Sequence, residues 1–315
     1  MANDAPSQPN IPPIRALRIT VGPLSWEFRA GDGVEPWLGR LARILETEPQ
    51  ADGAPVRAED RRMLFFRLDP GDVGDSSGRT LEKLDLPGWP RIGWRPRWFY
   101  PVRIWTHSGL PHVICECLLD VPGSDASIEA MMRAFFPVFE GLVETGGLPL
   151  HAALVAKDGF GVALAASGGT GKSTCARRIP TPWRPLCDDT ALLVPEGSRS
   201  YQIHPFPTWS DYLWKRSEGT WDISRHVPLR AIFLLKQAEE AKASAIGQGE
   251  AAIYLSRSAN DIFMSFTPRL EREDKRAFER QVFDNACRLA KALPVFILEF
   301  SREGEFWKEI DRVLG

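Results

Sequence analysis

The amino-acid sequence predicts a mixed α/β fold, with a smaller β-rich N-terminal domain ahead of a larger C-terminal domain. Two observations carry this. Up to about residue 119 the chain offers short alternating runs bounded by Gly and Pro, the pattern of strands and tight turns. From residue 151 a strand, a hairpin and a second strand run straight into a glycine-rich loop and a helix, and later apolar runs of strand length alternate with helical patterns. The boundaries predicted are a flexible arm at 1–14, a β-rich domain at 15–125, a linking helix at 126–147 and the C-terminal domain at 148–315.

In chain order, Ala16–Val21 and Ser25–Phe28 read as strands joined at Gly22-Pro23-Leu24. Pro36 to Leu45 reads as a short helix, Met63 to Leu68 as a strand, and Asp69 to Thr80 as a loop. Residues 91–105 interleave Arg91, Arg95, Arg97 and Arg103 with Trp94, Trp98, Phe99, Tyr100 and Trp105. This could be a nucleic-acid platform, a peptide-recognition patch, or an Arg-laced sheet whose aromatic face packs on the core; period-two interleaving favours the last. Ser127 to Val143 repeats apolar residues at helical spacing, with Pro137 set to kink or split the helix and Gly146-Gly147 to end it. Residues 192–194, 231–235 and 295–298 read as buried strands. Pro268 to Leu293 reads as a long amphipathic helix with Pro268 in its first turn, and Phe306 to Leu314 as the closing helix.

Hydrophobic content of 43% and charged content of 25% are ordinary for a globular protein, and a net charge of −2 argues against a surface built throughout for nucleic acid. No apolar run approaches the roughly 20 residues that span a bilayer. The polar, Pro-rich start does not read as a secretion signal. Five scattered cysteines without a CxxC pair argue against a disulfide framework or zinc site. A cytoplasmic protein is expected, with no nucleic-acid or membrane partner.

The chemistry concentrates at Ala166-Ser167-Gly168-Gly169-Thr170-Gly171-Lys172-Ser173. Glycines let backbone N–H groups curl around phosphates, and a helix N-terminus adds partial positive charge. Ser167, Gly168, Gly169, Thr170, Gly171, Lys172, Ser173 and Thr174 are thus the expected nucleotide contacts. Lys172 would reach the terminal phosphates and the Ser173 hydroxyl would ligate Mg²⁺. Ala166 replaces the first glycine of the strict phosphate-loop pattern. Asp188-Asp189 follows Lys172 closely. Paired carboxylates at a strand entrance can divide the work, one holding Mg²⁺ and the other accepting a hydroxyl proton. His151 opens the strand beside the loop strand and could hydrogen-bond an active-site aspartate or the transferring phosphate. His204 could be catalytic or scaffolding. Lys215, Arg216, Arg225, Arg230 and Arg257 are candidates to neutralise transition-state charge.

Residues 151–194 resemble the catalytic domain of HPr kinase/phosphorylase, of the phosphoenolpyruvate-carboxykinase-like nucleotide-binding proteins. The shared order is a histidine at a strand start, a hairpin, a glycine loop ending Gly-Lys-Ser, a short helix and an Asp pair. The resemblance implies an HPr-kinase-like phosphate-loop domain with ATP and Mg²⁺, Asp189 as general base toward a serine hydroxyl, Asp188 as metal partner and His151 as support. The family's later Leu-Glu-Ile-Arg-Gly-like segment has no counterpart; His204-Pro205-Phe206-Pro207-Thr208-Trp209-Ser210 stands in that region. The pattern looks more like the divergent members found with ribosomal-peptide biosynthesis, among them lasso-peptide tailoring kinases and ScmC proteins of the SynChlorMet cassette. The function expected is a kinase acting on a Ser/Thr hydroxyl of a peptide or protein, with an oligomer possible. The alternatives are a small-metabolite kinase or a non-catalytic, nucleotide-gated scaffold.

Overall fold

The structure, a computed structural model, describes residues 14–48, 60–73, 81, 86, 88–119, 126–215 and 221–315. Among them the fold is mixed α/β, with two mixed sheets and seven α-helices. The predicted arm lies outside the described residues except for Ile14. That residue is buried and donates its N–H to the Glu35 carbonyl.

The first sheet has the order β1-β2-β3-β6-β5-β4. Its strands are β1 (Ala16–Val21), β2 (Leu24–Ala30), β3 (Arg61–Arg67), β4 (Trp94–Phe99), β5 (Val102–His107) and β6 (Leu110–Cys117). Helix α1 (Glu35–Ile44) lies between the parallel strands β2 and β3 in sequence. Pro96 falls on β4, the edge strand, where a missing N–H costs no ladder bond to a further neighbour. Period-two alternation turns Trp26, Phe28, Met63, Phe65, Ile104, Cys115 and Cys117 into the core. The expected loop after β3 opens with a 3₁₀ turn at Pro70–Asp72, and 74–80 lies outside the described residues.

The predicted linking helix is two helices, α2 (Ala126–Ala134) and α3 (Phe136–Glu144). The break falls at Phe135, with Pro137 in the first turn of α3, where its missing N–H is harmless. Phe135, Phe136 and Phe139 then reach into one continuous apolar core shared by both sheets.

The second sheet runs β10-β8-β9-β13-β12-β11-β7, with β15 on the other side of β13's C-terminal half and β14 beyond it. Its strands are β7 (Leu148–Leu150), β8 (Ala152–Lys157), β9 (Phe160–Ala165), β10 (Arg184–Cys187), β11 (Thr190–Pro195), β12 (Tyr201–Phe206), β13 (Val227–Gln237), β14 (Lys242–Ala245) and β15 (Val295–Phe300). The 11-residue β13 pairs parallel with β9 and β15, and its first residues pair with β12. Helices α4 (Lys172–Arg178), α5 (Gln248–Phe263), α6 (Arg272–Ala292) and α7 (Phe306–Leu314) complete it. Pro268 does not start α6; it sits in a separate 3₁₀ turn, Thr267–Arg269, and extended backbone at Leu270 and Glu271 separates the two. No helix of the described residues is long and apolar enough to cross a membrane.

Candidate functional site

The loop that follows β9 is shaped by its glycines. Gly169 and Gly171 adopt positive φ, 77° and 117°, and Gly171 forms the N-terminal boundary of α4. A Cβ added at Gly168 or Gly169 would meet no atom within 4 Å, so the space beside this backbone is open. At Gly171 a Cβ would stand 3.1 Å from Phe300, and the left-handed backbone there disfavours any side chain. Ser167, Gly168 and Gly169 are exposed at the tip, while Thr170 is tied down through its carbonyl, which accepts from Gln237 Nε2 at 3.0 Å. Ser173 and Thr174 lie half-buried in the first turn of α4, where N–H groups lack intrahelical partners.

Lys172 is buried, and its ammonium donates to the Ala166 and Ser167 carbonyls at 2.9 and 3.3 Å. That uses two of its three N–H donors. Burial lowers its pKa, and the charges of Asp189, Asp261 and Asp188 work against that. These carboxylates are close enough to act on the ammonium, yet none forms an ion pair with it among the described residues.

Asp188 and Asp189 occupy the corner between β10 and β11, and His151 the corner between β7 and β8. The two corners meet: His151 Nε2 lies 3.1 Å from Asp189 Oδ1. Backbone bonds hold the histidine in place. Its N–H donates to the Ser258 hydroxyl at 3.1 Å, and its carbonyl accepts from Ala166 N at 3.4 Å, tying it to both α5 and the start of the glycine loop. Burial pushes the Asp189 carboxyl up, but the His151 hydrogen bond and charge, with Lys172, outweigh it and hold the group below its ordinary value. Asp188 is buried, and its Oδ1 accepts from Thr208 Oγ1 at 2.5 Å. Trp221 Nε1 in turn donates to that hydroxyl at 3.0 Å.

The structure therefore brings together Lys172, Asp188, Asp189 and His151, and the glycine loop with Ser173 beside them. It also adds two residues that the sequence did not single out in this role. Asp261, on α5, places Oδ2 3.9 Å from His151 Nδ1, so the imidazole stands between two carboxylates. Thr208 holds Asp188. Asp261 sits three residues after Ser258, which carries no recognisable motif, and only the packing of α5 on β7 reveals it. His204 is buried within β12, stacked on His226 at 4.6 Å, with its backbone opposite Leu192 of β11. Burial and His226 push its pKa down to about 4. Of the candidate cations, Arg225 pairs with Asp222, and Arg230 donates to the Leu314 carbonyl with its guanidinium 4.8 Å above the Phe160 ring. Arg257 is exposed on α5, one turn before Asp261. Arg216 and the side chain of Lys215 lie outside the described residues.

The Arg/Trp segment is a sheet laced with arginines, as expected, but only Phe99 of its aromatics joins the apolar core, while Trp94, Trp98 and Trp105 share the opposite face with Arg103. Arg97 makes a two-pronged pair with Glu140 at 2.6 and 2.8 Å, and Arg103 and Trp105 both donate to buried Glu116.

Hard oxygen donors suit Mg²⁺, which takes one or two carboxylates and completes its shell with water and substrate phosphates. Ser173 and Asp188 are donors of that kind, and open space beside the glycine backbone suits a polyphosphate.

The second sheet thus places a glycine loop, a buried lysine and a histidine-linked aspartate at one corner of a mixed α/β fold. The family model described as "SynChlorMet cassette protein ScmC" matches residues 113–315, and the chain belongs to the ScmC family. A search of the curated proteins found no match. The family description names a cassette rather than a reaction.

Proposed function

We propose that the chain is an ATP- and Mg²⁺-dependent phosphotransferase that moves the γ-phosphate onto a Ser/Thr hydroxyl of a peptide or protein in ribosomal-peptide tailoring. The observation that carries this is the 3.1 Å contact between His151 and Asp189 beside the glycine loop and Lys172. It joins the histidine to one of the paired aspartates, the two features on which the resemblance to HPr kinase/phosphorylase rests.

In this reading the loop N–H groups and the third Lys172 donor bind the β and γ phosphates. Ser173 and Asp188 would hold Mg²⁺, which would supply charge to offset that of the phosphates. Thr208 keeps the Asp188 carboxylate oriented. Asp189 stands ionised at neutral pH and receives the proton of the acceptor hydroxyl as its oxygen bonds to the γ-phosphorus and the β–γ bridge breaks. A carboxylate of lowered pKa is a weak base, so its work is to orient the hydroxyl and take the proton late, as bond formation acidifies it. His151, flanked by Asp261, fixes the direction of the Asp189 carboxylate. Lys172 and Asp189 attract each other without closing into an ion pair, which leaves the phosphoryl group a place between them.

The test is intact-mass spectrometry of peptides encoded beside the gene after incubation with the protein, ATP and Mg²⁺. A gain of one phosphate that disappears in Asp189→Asn supports the reading. Equal transfer by that variant, or transfer to a small alcohol without any peptide, removes the assigned role or the assigned acceptor. Nucleotide binding with no transfer to any acceptor would return the protein to the scaffold class.

A further inference from the structure

A second cleft lies at the far end of the strands that carry the site. Gly147 precedes β7 and His151 follows it; Asp189 precedes β11, and Pro195 ends it. The cleft opens where these strands leave, between the turn joining β11 to β12, the end of α3 and the last turns of α6. At 3.3 Å per residue, β11 separates it from Asp189 by about 20 Å.

Its volume is about 730 Å³, within the range of small-molecule sites. Arg199, Arg288 and Lys291 line it, against one carboxylate, Glu144. Glu144 is turned toward Arg61, 3.4 Å away, and does not compensate the three cations. This is unlike much of the molecule, where Arg18, Arg29, Arg97, Arg103, Lys157 and Lys236 each meet a carboxylate within 3 Å. Arg288 is instead positioned by a neutral group. It donates to Asn285 Oδ1, and buried Asn285 is itself fixed by donating to the Val143 and Gly147 carbonyls at 2.8 and 2.9 Å. The negative end of the α6 dipole accounts for cations in its last turns. It does not account for Arg199, which comes from the β11–β12 turn. Burial raises the pKa of Tyr201, the phenol on the same wall, so it remains a hydrogen-bond donor at neutral pH.

We propose that this cleft is a second ligand site that takes a small polyanion, a phosphate ester or a polycarboxylate. Three cations on one cleft, one of them positioned in advance, a phenol on the same wall and room for a metabolite-sized molecule are what such a ligand needs.

The test is calorimetric titration of the full chain carrying Lys172→Ala, which removes the cation of the glycine loop, with inorganic pyrophosphate and with citrate. Sub-millimolar binding of at least one is expected, weakened tenfold or more by Arg199→Ala with Lys291→Ala. Both side chains are exposed, so the melting temperature should stay unchanged. Tighter binding of pyrophosphate assigns phosphate esters, and tighter binding of citrate assigns polycarboxylates. No binding of either, or affinity unchanged in the double variant, overturns the proposal. Should Lys172→Ala fail to fold, citrate titration of the otherwise unaltered chain with and without the double substitution decides. Because no phosphate transfer is read, the outcome is independent of the proposed kinase activity.

Discussion

The first sheet and the glycine-loop corner of the second use charge in opposite ways. In the first, charges are closed on themselves: Arg103 and Glu116 are both buried and paired at 2.6 Å, and the buried carboxylates of Asp60 and Glu27 are held by Arg18 and Arg29. In the second, the charges at the glycine loop are close but incompletely satisfied. Lys172 leans on its own carbonyls, Asp189 is about a third exposed in its side chain, and His151 is shared between two acids. Closed pairs stabilise or at least specify a fold, and breaking one strands a buried charge. Open charges stabilise little, and they remain available to a ligand. The matched ScmC region contains all of the second kind, whereas β1–β5 precede it.

Substitution should therefore separate stability from chemistry. The largest effect expected is on transfer: Asp189→Asn should lower the rate by about 10²–10⁴-fold while moving stability by under about 1 kcal/mol, read by steady-state transfer and urea unfolding side by side. The mirror image is Glu116→Ala, which leaves the Arg103 charge and the Trp105 N–H without their acceptor. It should cost about 3–5 kcal/mol in urea unfolding. If Glu116→Ala proved mild and Asp189→Asn severe on the same stability scale, the comparison would be reversed.

His204 sharpens it further. Its folded pKa of about 4 lies below the ordinary 6.5, so the unfolded chain binds the extra proton. Stability is intact above about pH 6.5 and is lost as pH falls toward 4, by up to about 3 kcal/mol. His204→Phe should flatten the melting temperature between pH 7 and 4 relative to the native chain. Asp189 titrates lower still: its contribution is present above about pH 4 and fades below, so the melting difference between native protein and Asp189→Asn should narrow only under that pH. The smallest effect belongs to exposed Arg225, whose replacement by Ala should leave both stability and transfer within about 0.5 kcal/mol.

What was legible in the residues was what local chemistry fixes. β9, the glycine loop, α4 and α7 follow from turn glycines, apolar runs and helical periodicity, and the split at Pro137 follows from a missing N–H. Helix α5 was not legible, because its buried face is largely small, Ala251, Ala252, Ser256, Ser258 and Ala259, and gives little hydrophobic signal. Nor was β12, because Pro205 suggested a loop. The strand tolerates it because β13 pairs with β12 only at Gln202 and Ile203, leaving Pro205 beside no further ladder on that side. The sequence by itself determined which groups could act: Lys172, Ser173, Asp188, Asp189 and His151. Tertiary structure alone decided which of them meet. It set Asp261 against His151 and Thr208 against Asp188 across 110 and 20 residues of chain, contacts that exist only because the packed core holds two strand corners and a helix together.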